Sequence, residues 1–179
     1  MACSLTLAGR GVGCKDALGG IKRVYVAEWT EGMWEDISAG AVSGLSGTNT
    51  ATFYTYDMNR GSGSLNQTIT ASIENGTVFY DQALTANFSK LASADITELQ
   101  NITKGRMSVL VEDNNGNWFV MGHKRGVEAS GGVVQTGTAS GDLNGFTIEM
   151  NAQEVAPAPF LAVTDGAPDD TDITITSAP

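Results

Sequence analysis

A few places in this 179-residue sequence carry residue types that could do chemistry. Near the start, Gly9-Arg-Gly-Val-Gly-Cys-Lys-Asp offers glycines and a lysine, the ingredients of a phosphate-binding loop. Such a loop follows a strand, sets its lysine directly after a glycine and places Ser or Thr next to hold magnesium. Here Cys14 interrupts Gly13 and Lys15, Asp16 stands at the Ser/Thr place, and no strand precedes the segment. It therefore reads as an N-terminal arm whose Lys15 and Asp16 make local or intersubunit contacts. His123 is the only histidine and sits beside Lys124 and Arg125. A general base needs a nucleophile and an orienting partner; no Ser or Cys answers, so an exposed loop histidine is expected. The run Asp165-Gly-Ala-Pro-Asp169-Asp170-Thr-Asp172 is a loose acidic cluster without the alternation and final glutamate of a calcium loop. A solvated acidic tail is the plainer reading. Asp113–Asn117 is fully accounted for as a turn, being Asp, Asn and Gly throughout. Trp29, Trp34 and Trp118 are scattered rather than arrayed as a stacking platform, and read as core and interface anchors. No catalytic, cofactor-binding or metal-binding set emerges, so a non-enzymatic chain without cofactor is expected.

Charge narrows the partners. Ten Lys and Arg against 20 Asp and Glu give a formal net charge of −10. All the basic residues lie at or before Arg125, and eight acids with no base follow Gly126. Gripping phosphate backbones requires clustered Lys and Arg, which this composition lacks. No apolar run approaches the roughly 18 residues of a membrane-spanning helix, and MACSLTLAGR lacks the basic n-region and longer apolar stretch of a secretion signal. Cys3 and Cys14 would close only a short loop if paired, and reduced thiols in a cytoplasm are expected. Without secretion, the Asn-X-Ser/Thr matches at Asn66, Asn75, Asn87 and Asn101 carry no weight.

The elements that would hold these residues are mostly strands. Pro157, Pro159, Pro168 and Pro179 all fall in the last 23 residues, leaving a proline-free body rich in Val, Ile, Thr, Phe and Tyr. Proline is excluded from paired strand interiors, so such a body reads as sheet with glycine-bounded turns. Three parts follow: an arm over residues 1–20, a body over 21–156, and an acidic Pro-bearing tail over 157–179 with one strand-like piece at Ile173–Thr176. Strands are predicted at Ile21–Trp29, Thr50–Asp57, Leu65–Glu74 and Val78–Phe88. In the second of these Phe53 faces one way and Tyr54 and Tyr56 the other. The third is a period-2 run with Leu65, Gln67, Ile69, Ala71 and Ile73 on one face. Ala92–Thr103 is the one predicted helix, with Asp95 as cap, Glu98 three residues on, and Gly105 as the stop. Arg106–Asp113 and Asn117–Gly122 form a hairpin. Val127–Ser130 and Val133–Thr138 are expected to form another around Gly131-Gly132, and Gly145–Glu154 closes the body with Phe146, Ile148 and Met150 inward. The fold expected is mainly β, a sandwich or partial barrel with one flanking helix.

Two stretches resemble the tail tube proteins, the major tail structural proteins of tailed bacteriophages. One is Gly9-Arg-Gly-Val-Gly-Cys-Lys-Asp-Ala-Leu-Gly-Gly-Ile-Lys-Arg-Val-Tyr-Val. The other runs from Ile102 to Glu154. It takes in Gly105-Arg106, Asn114-Asn-Gly-Asn, Trp118-Phe-Val-Met-Gly, Gly126-Val-Glu and Thr136-Gly-Thr-Ala-Ser-Gly-Asp142-Leu-Asn-Gly-Phe-Thr. The resemblance implies a virion protein assembled in the host bacterial cytoplasm. Its sheets would join edge to edge into rings, six copies in the family, and the rings would stack into a hollow tube. Its partners would be copies of itself and other tail proteins, with genome DNA passing through the bore without specific binding and no membrane involved. An acidic interior would keep phosphates from sticking. Stacking is expected to use the arm Cys3–Gly20 and the Gly- and Ser-rich stretch Gly40–Thr50. Two alternatives stand beside this: another virion component (tail terminator, head–tail completion or capsid decoration protein), or a carbohydrate-binding β-sandwich displaying Tyr54 and Tyr56.

Overall fold

The computed structural model describes Gly11 and residues 15–164 and 166–177. Cys3, Cys14, Asp165 and most of the glycine-rich arm lie outside the described residues. The described residues are mainly β, 51% strand and 6% helical, with a curled sheet that forms a half-barrel.

The strands are β1 (Ile21–Glu28), β2 (Ala41–Val42), β3 (Ala51–Asp57), β4 (Gly63–Ser72), β5 (Thr77–Ser89), β6 (Met107–Asp113), β7 (Trp118–Met121), β8 (Glu128–Gln135), β9 (Gly145–Glu154), β10 (Phe160–Leu161), β11 (Val163–Thr164), β12 (Ala167–Pro168) and β13 (Ile173–Thr176). The helix α1 spans Ser93–Ile102. A seven-stranded sheet has the order β13-β3-β1-β6-β7-β10-β2, and a four-stranded sheet the order β4-β5-β9-β8; β11 and β12 form a small separate ladder.

Hydrophobic burial accounts for this layering. One core lies between the two sheets, where Val24, Val26, Val109 and Val111 of the large sheet meet Leu84, Ala86, Ile148 and Met150 of the small one. Ile102 of α1 joins this core, and Leu99 packs against it. A second core covers the opposite face of the large sheet. There Tyr25, Leu110, Trp118, Val120 and Phe53 pack against Met33, Trp34, Val42, Leu45, Leu161 and Ile173. Strands β1 and β6 are consequently buried on both faces, which is why Val109-Leu110-Val111 reads as a continuous apolar run rather than an alternation.

That second core corrects the expectation of a tail. Pro157 marks a change of composition, yet the segment after it folds back as part of the domain. β10 pairs with β7 and, in parallel, with β2. β13 lies parallel beside β3, from Ile173 opposite Ala51 to Thr176 opposite Tyr54. The stretch Gly40–Thr50, expected to serve stacking, is anchored within the domain in the same way. Gly40 and Val42 carbonyls accept from Phe160 and Ala162, and the Leu45 amide donates to Asp170 Oδ2 at 2.6 Å.

The hairpin expected around Gly131-Gly132 is absent. β8 runs straight through both glycines, paired to β9 with a bulge between Ala129 and Gly131. A Cβ at Gly132 would stand 2.8 Å from the Thr147 carbonyl oxygen, so here glycine serves close strand approach rather than turning. The helix start also shifts. Ala92 is the N-cap and Asp95 the third helical residue, its carboxylate accepting from the Ala92 amide at 2.7 Å. Glu98 instead accepts from the Tyr56 hydroxyl. Burial, and then that bond, push the Tyr56 phenol above its ordinary range.

Gly145 opens β9 opposite Ser89 of β5. A Cβ there would lie 1.9 Å from the Phe88 carbonyl oxygen, a backbone atom that cannot swing aside. Gly145→Ala is expected to destabilise the domain by about 2–3 kcal/mol, the scale of overpacking in a tight site. Gly141→Ala meets nothing within 4 Å and is expected to be neutral. Denaturant midpoints of the two variants at unchanged slope check the contrast.

Candidate assembly surface

Among the described residues, the four-stranded sheet has two open edges, β4 and β8. Native proteins usually blunt long edges with Lys, Pro or bulges, because unpaired N–H and C=O groups recruit other strands. β8 carries a bulge, but β4 is ten residues long, Gly-Ser-Leu-Asn-Gln-Thr-Ile-Thr-Ala-Ser, with no charge and no proline. No Lys or Arg occurs in any strand of this sheet, while Asp81, Glu128, Glu149 and Glu154 supply four carboxylates.

Its two faces differ. The face turned from the core carries Asn66, Thr68, Asp81, Thr85, Asn87, Thr147, Glu149 and Asn151. These residues bond across strands: Thr147 Oγ1 donates to Asn87 at 2.6 Å, and Asn151 Nδ2 donates to Asp81 at 2.9 Å. The core-side face continues past the point where the large sheet covers it. The predicted period-2 run of β4 is present, but only its first member, Leu65, packs into the core. Ile69 is 65% exposed, Val78 opposite Ala71 is 55% exposed, and Ile73 in the connecting turn is 99% exposed. On β8, Val134, opposite Phe146, is 52% exposed on this same side, while Val133, opposite Thr147, is 58% exposed on the outer face. The β4–β5 hairpin thus overhangs with its apolar side bare.

The buried polar groups brace this sheet against the rest. Gln82 is fully buried in β5, accepts from the Gly122 amide at 3.1 Å and donates to the Ala156 carbonyl at 3.4 Å. Glu154, also buried, accepts the backbone amides of Lys124 and Arg125 at 3.0 and 2.7 Å. On the large sheet, buried Glu112 accepts from Lys22 Nζ at 2.5 Å and Tyr25 Oη at 2.9 Å. These groups are spent on structure.

The residues picked out from the sequence separate accordingly. His123 is not an exposed loop residue; it is 6% exposed with Nε2 2.7 Å from the Glu35 carbonyl oxygen, because the 122–126 turn is drawn inward by Glu154. Asp170 is tied to the Leu45 and Asp172 amides. Among the described residues no group of three His, Cys, Asp or Glu side chains could hold a metal ion, and no helix is long and apolar enough to cross a membrane. Tyr54 is exposed, but Tyr56 packs on Phe88 and bonds to Glu98, so the two do not form an open platform. Trp34 and Trp118 are core residues as read. Lys15 and Asp16 are exposed. The end of the arm is pinned to the β6–β7 turn, where Asn115 Nδ2 and Oδ1 both bond the Leu18 backbone at 2.8 Å.

Asp113 organises that turn. Burial pushes its carboxyl up, but hydrogen bonds from Asn117 and Asn115 outweigh this and hold it below the usual aspartate value. A depressed folded pKa adds stability above the unfolded value of about 3.9, and that stability drains away as pH falls through the folded value. The 113–117 amides are expected to lose hydrogen-exchange protection over that acid interval, and an Asp113→Asn variant to show no such step.

Comparison with protein-family models, curated proteins and solved structures found no match to this chain.

Proposed function

We propose that this chain is a structural subunit that builds a hollow tube of the tailed-phage tail-tube kind. Copies join through the open edges of the four-stranded sheet into rings, and the rings stack. The observation that carries this reading is the ten-residue edge of β4, left unblocked by the described residues, in a sheet whose far edge, β8, pairs with none of them either. Joining two different edges is a heterologous contact, which closes into a ring when the rotation allows. The strand directions suit it: β4 and β8 run antiparallel across the sheet, so a β4–β8 junction continues the antiparallel pattern.

The charge distribution supports the conduit role. The outer face of this sheet, whose strands hold no Lys or Arg, would line the bore, and its carboxylates, amides and hydroxyls would offer DNA phosphates little to hold. The Asp169–Asp172 segment belongs to the other sheet's edge region, so the lining is assigned to Asp81 and Glu149 rather than to the acidic C-terminal stretch. Sedimentation velocity over a range of concentrations tests the assembly. Ring-sized and larger species should appear cooperatively, whereas one slow species at every concentration would contradict it. Retention of duplex DNA at low salt would contradict the conduit.

A further inference from the structure

We infer that Asn75, at the tip of the β4–β5 hairpin, is a site of spontaneous covalent modification, converting to aspartate and isoaspartate through a cyclic imide. Three Asn-Gly pairs occur in the chain: Asn75-Gly76, Asn115-Gly116 and Asn144-Gly145. Glycine after asparagine leaves the following amide nitrogen unhindered and its backbone free to rotate. The structure separates the three by what holds the reacting groups.

At Asn75 no described residue does. The side chain is exposed and makes no hydrogen bond to a described residue, and its own amide has only a long 3.3 Å bond to Ser72 Oγ. The Gly76 amide has no partner among the described residues, and a Cβ at Gly76 would meet nothing within 4 Å. At Asn115 both ends of the carboxamide are held in three hydrogen bonds, two with the Leu18 backbone and one to Asp113 Oδ2. The Gly116 amide is donating to the Asp113 carbonyl at 3.3 Å. At Asn144 the attacking nitrogen belongs to Gly145, which is buried in β9 between Ser89 and Gln135, against the Phe88 carbonyl.

The reaction needs only water. The Gly76 nitrogen, deprotonated by hydroxide, attacks Cγ of Asn75; the new C–N bond closes a five-membered imide. The Cγ–Nδ2 bond breaks, and the nitrogen leaves as ammonia after taking a proton from water. A second water adds to either imide carbonyl and breaks one of the two C–N bonds, giving aspartate or isoaspartate. Nothing is oxidised or reduced, and the net change is amide plus water to acid plus ammonia. The product places a second carboxylate beside Glu74, next to fully exposed Ile73.

Peptide mapping by mass spectrometry after incubating the full chain at mildly alkaline pH tests this. It should be done at a protein concentration low enough to keep the chain monomeric. Freeing the Asn115 carboxamide means breaking those three bonds, enough to slow its conversion on the order of tenfold or more. Asn75 should therefore convert well ahead of Asn115 and Asn144 in the folded protein, and the three should converge in denaturant. Asn75→Ser should abolish the early product. Equal conversion at the three positions in the folded chain, or either other site leading, would overturn the assignment. The rate order is a property of the single chain and does not depend on whether the chain assembles.

Discussion

Trp118→Ala is expected to lower the stability of the domain by about 3–5 kcal/mol, the range for deleting a large aromatic from a packed interior. Trp118 opens β7, is 1% exposed, and stacks on Tyr25 of β1 with ring centroids 4.5 Å apart and planes 17° from parallel. It belongs to the second core, the one that anchors the folded-back C-terminal segment through Leu161 and Ile173. The cavity would therefore open where the two-residue strands β2 and β10 meet β7. Those strands have little pairing of their own to resist it. Since natural domains are stable by only about 5–15 kcal/mol, much of the margin would go. Trp118→Phe should cost far less, because the stacking survives and the indole N–H has no partner among the described residues to lose. Chemical unfolding followed by fluorescence and by circular dichroism measures both. A loss under about 1 kcal/mol for the alanine variant would mean the second core is not a cooperative part of the fold.

The largest effect on assembly is expected from Ile69→Asp combined with Val78→Asp. The two positions are diagonal neighbours on the bare side of the overhanging hairpin, Ile69 facing Tyr80 and Val78 facing Ala71 across β4 and β5. Both are more than half exposed in the single chain, so folding stability should change by no more than about 0.5 kcal/mol per site. Contact with a second copy would bury them. Full burial of such side chains is worth about 1.5–3 kcal/mol each, and the substitution also asks the interface to desolvate two carboxylates. At about 1.4 kcal/mol per tenfold, the concentration needed for assembly should rise by about a hundredfold or more. Light scattering against concentration, with the unfolding midpoint as control, separates the two readouts. An unchanged assembly threshold would remove the hairpin from the interface.

Local signals carried the sequence a long way. The alternation of Phe146, Ile148 and Met150 delimits β9 at the observed residues. The β6–β7 turn follows from Asp, Asn and Gly, and α1 follows from its periodic apolar residues and the Gly105 stop. What could not be read locally depends on partners far away in the chain. Gly131-Gly132 has turn chemistry, yet the neighbouring β9 backbone decides that it stays extended. His123 has a loop residue's surroundings in sequence, but Glu154, 31 positions later, pulls its turn into the protein. The Pro- and Asp-rich end looks like a solvated tail until Leu161 and Ile173 are seen filling a core made by β3, β6 and β7. The candidate surface is legible only in part. The apolar period of β4 is plain, whereas its exposure follows from the large sheet stopping short, which no local pattern records.

Negative-stain electron microscopy of the purified full chain at high concentration is the direct test of whether this subunit builds a tube. Hollow filaments of constant diameter built from stacked rings are expected. Dispersed monomer-sized particles at every concentration, or rings that never stack, would contradict it.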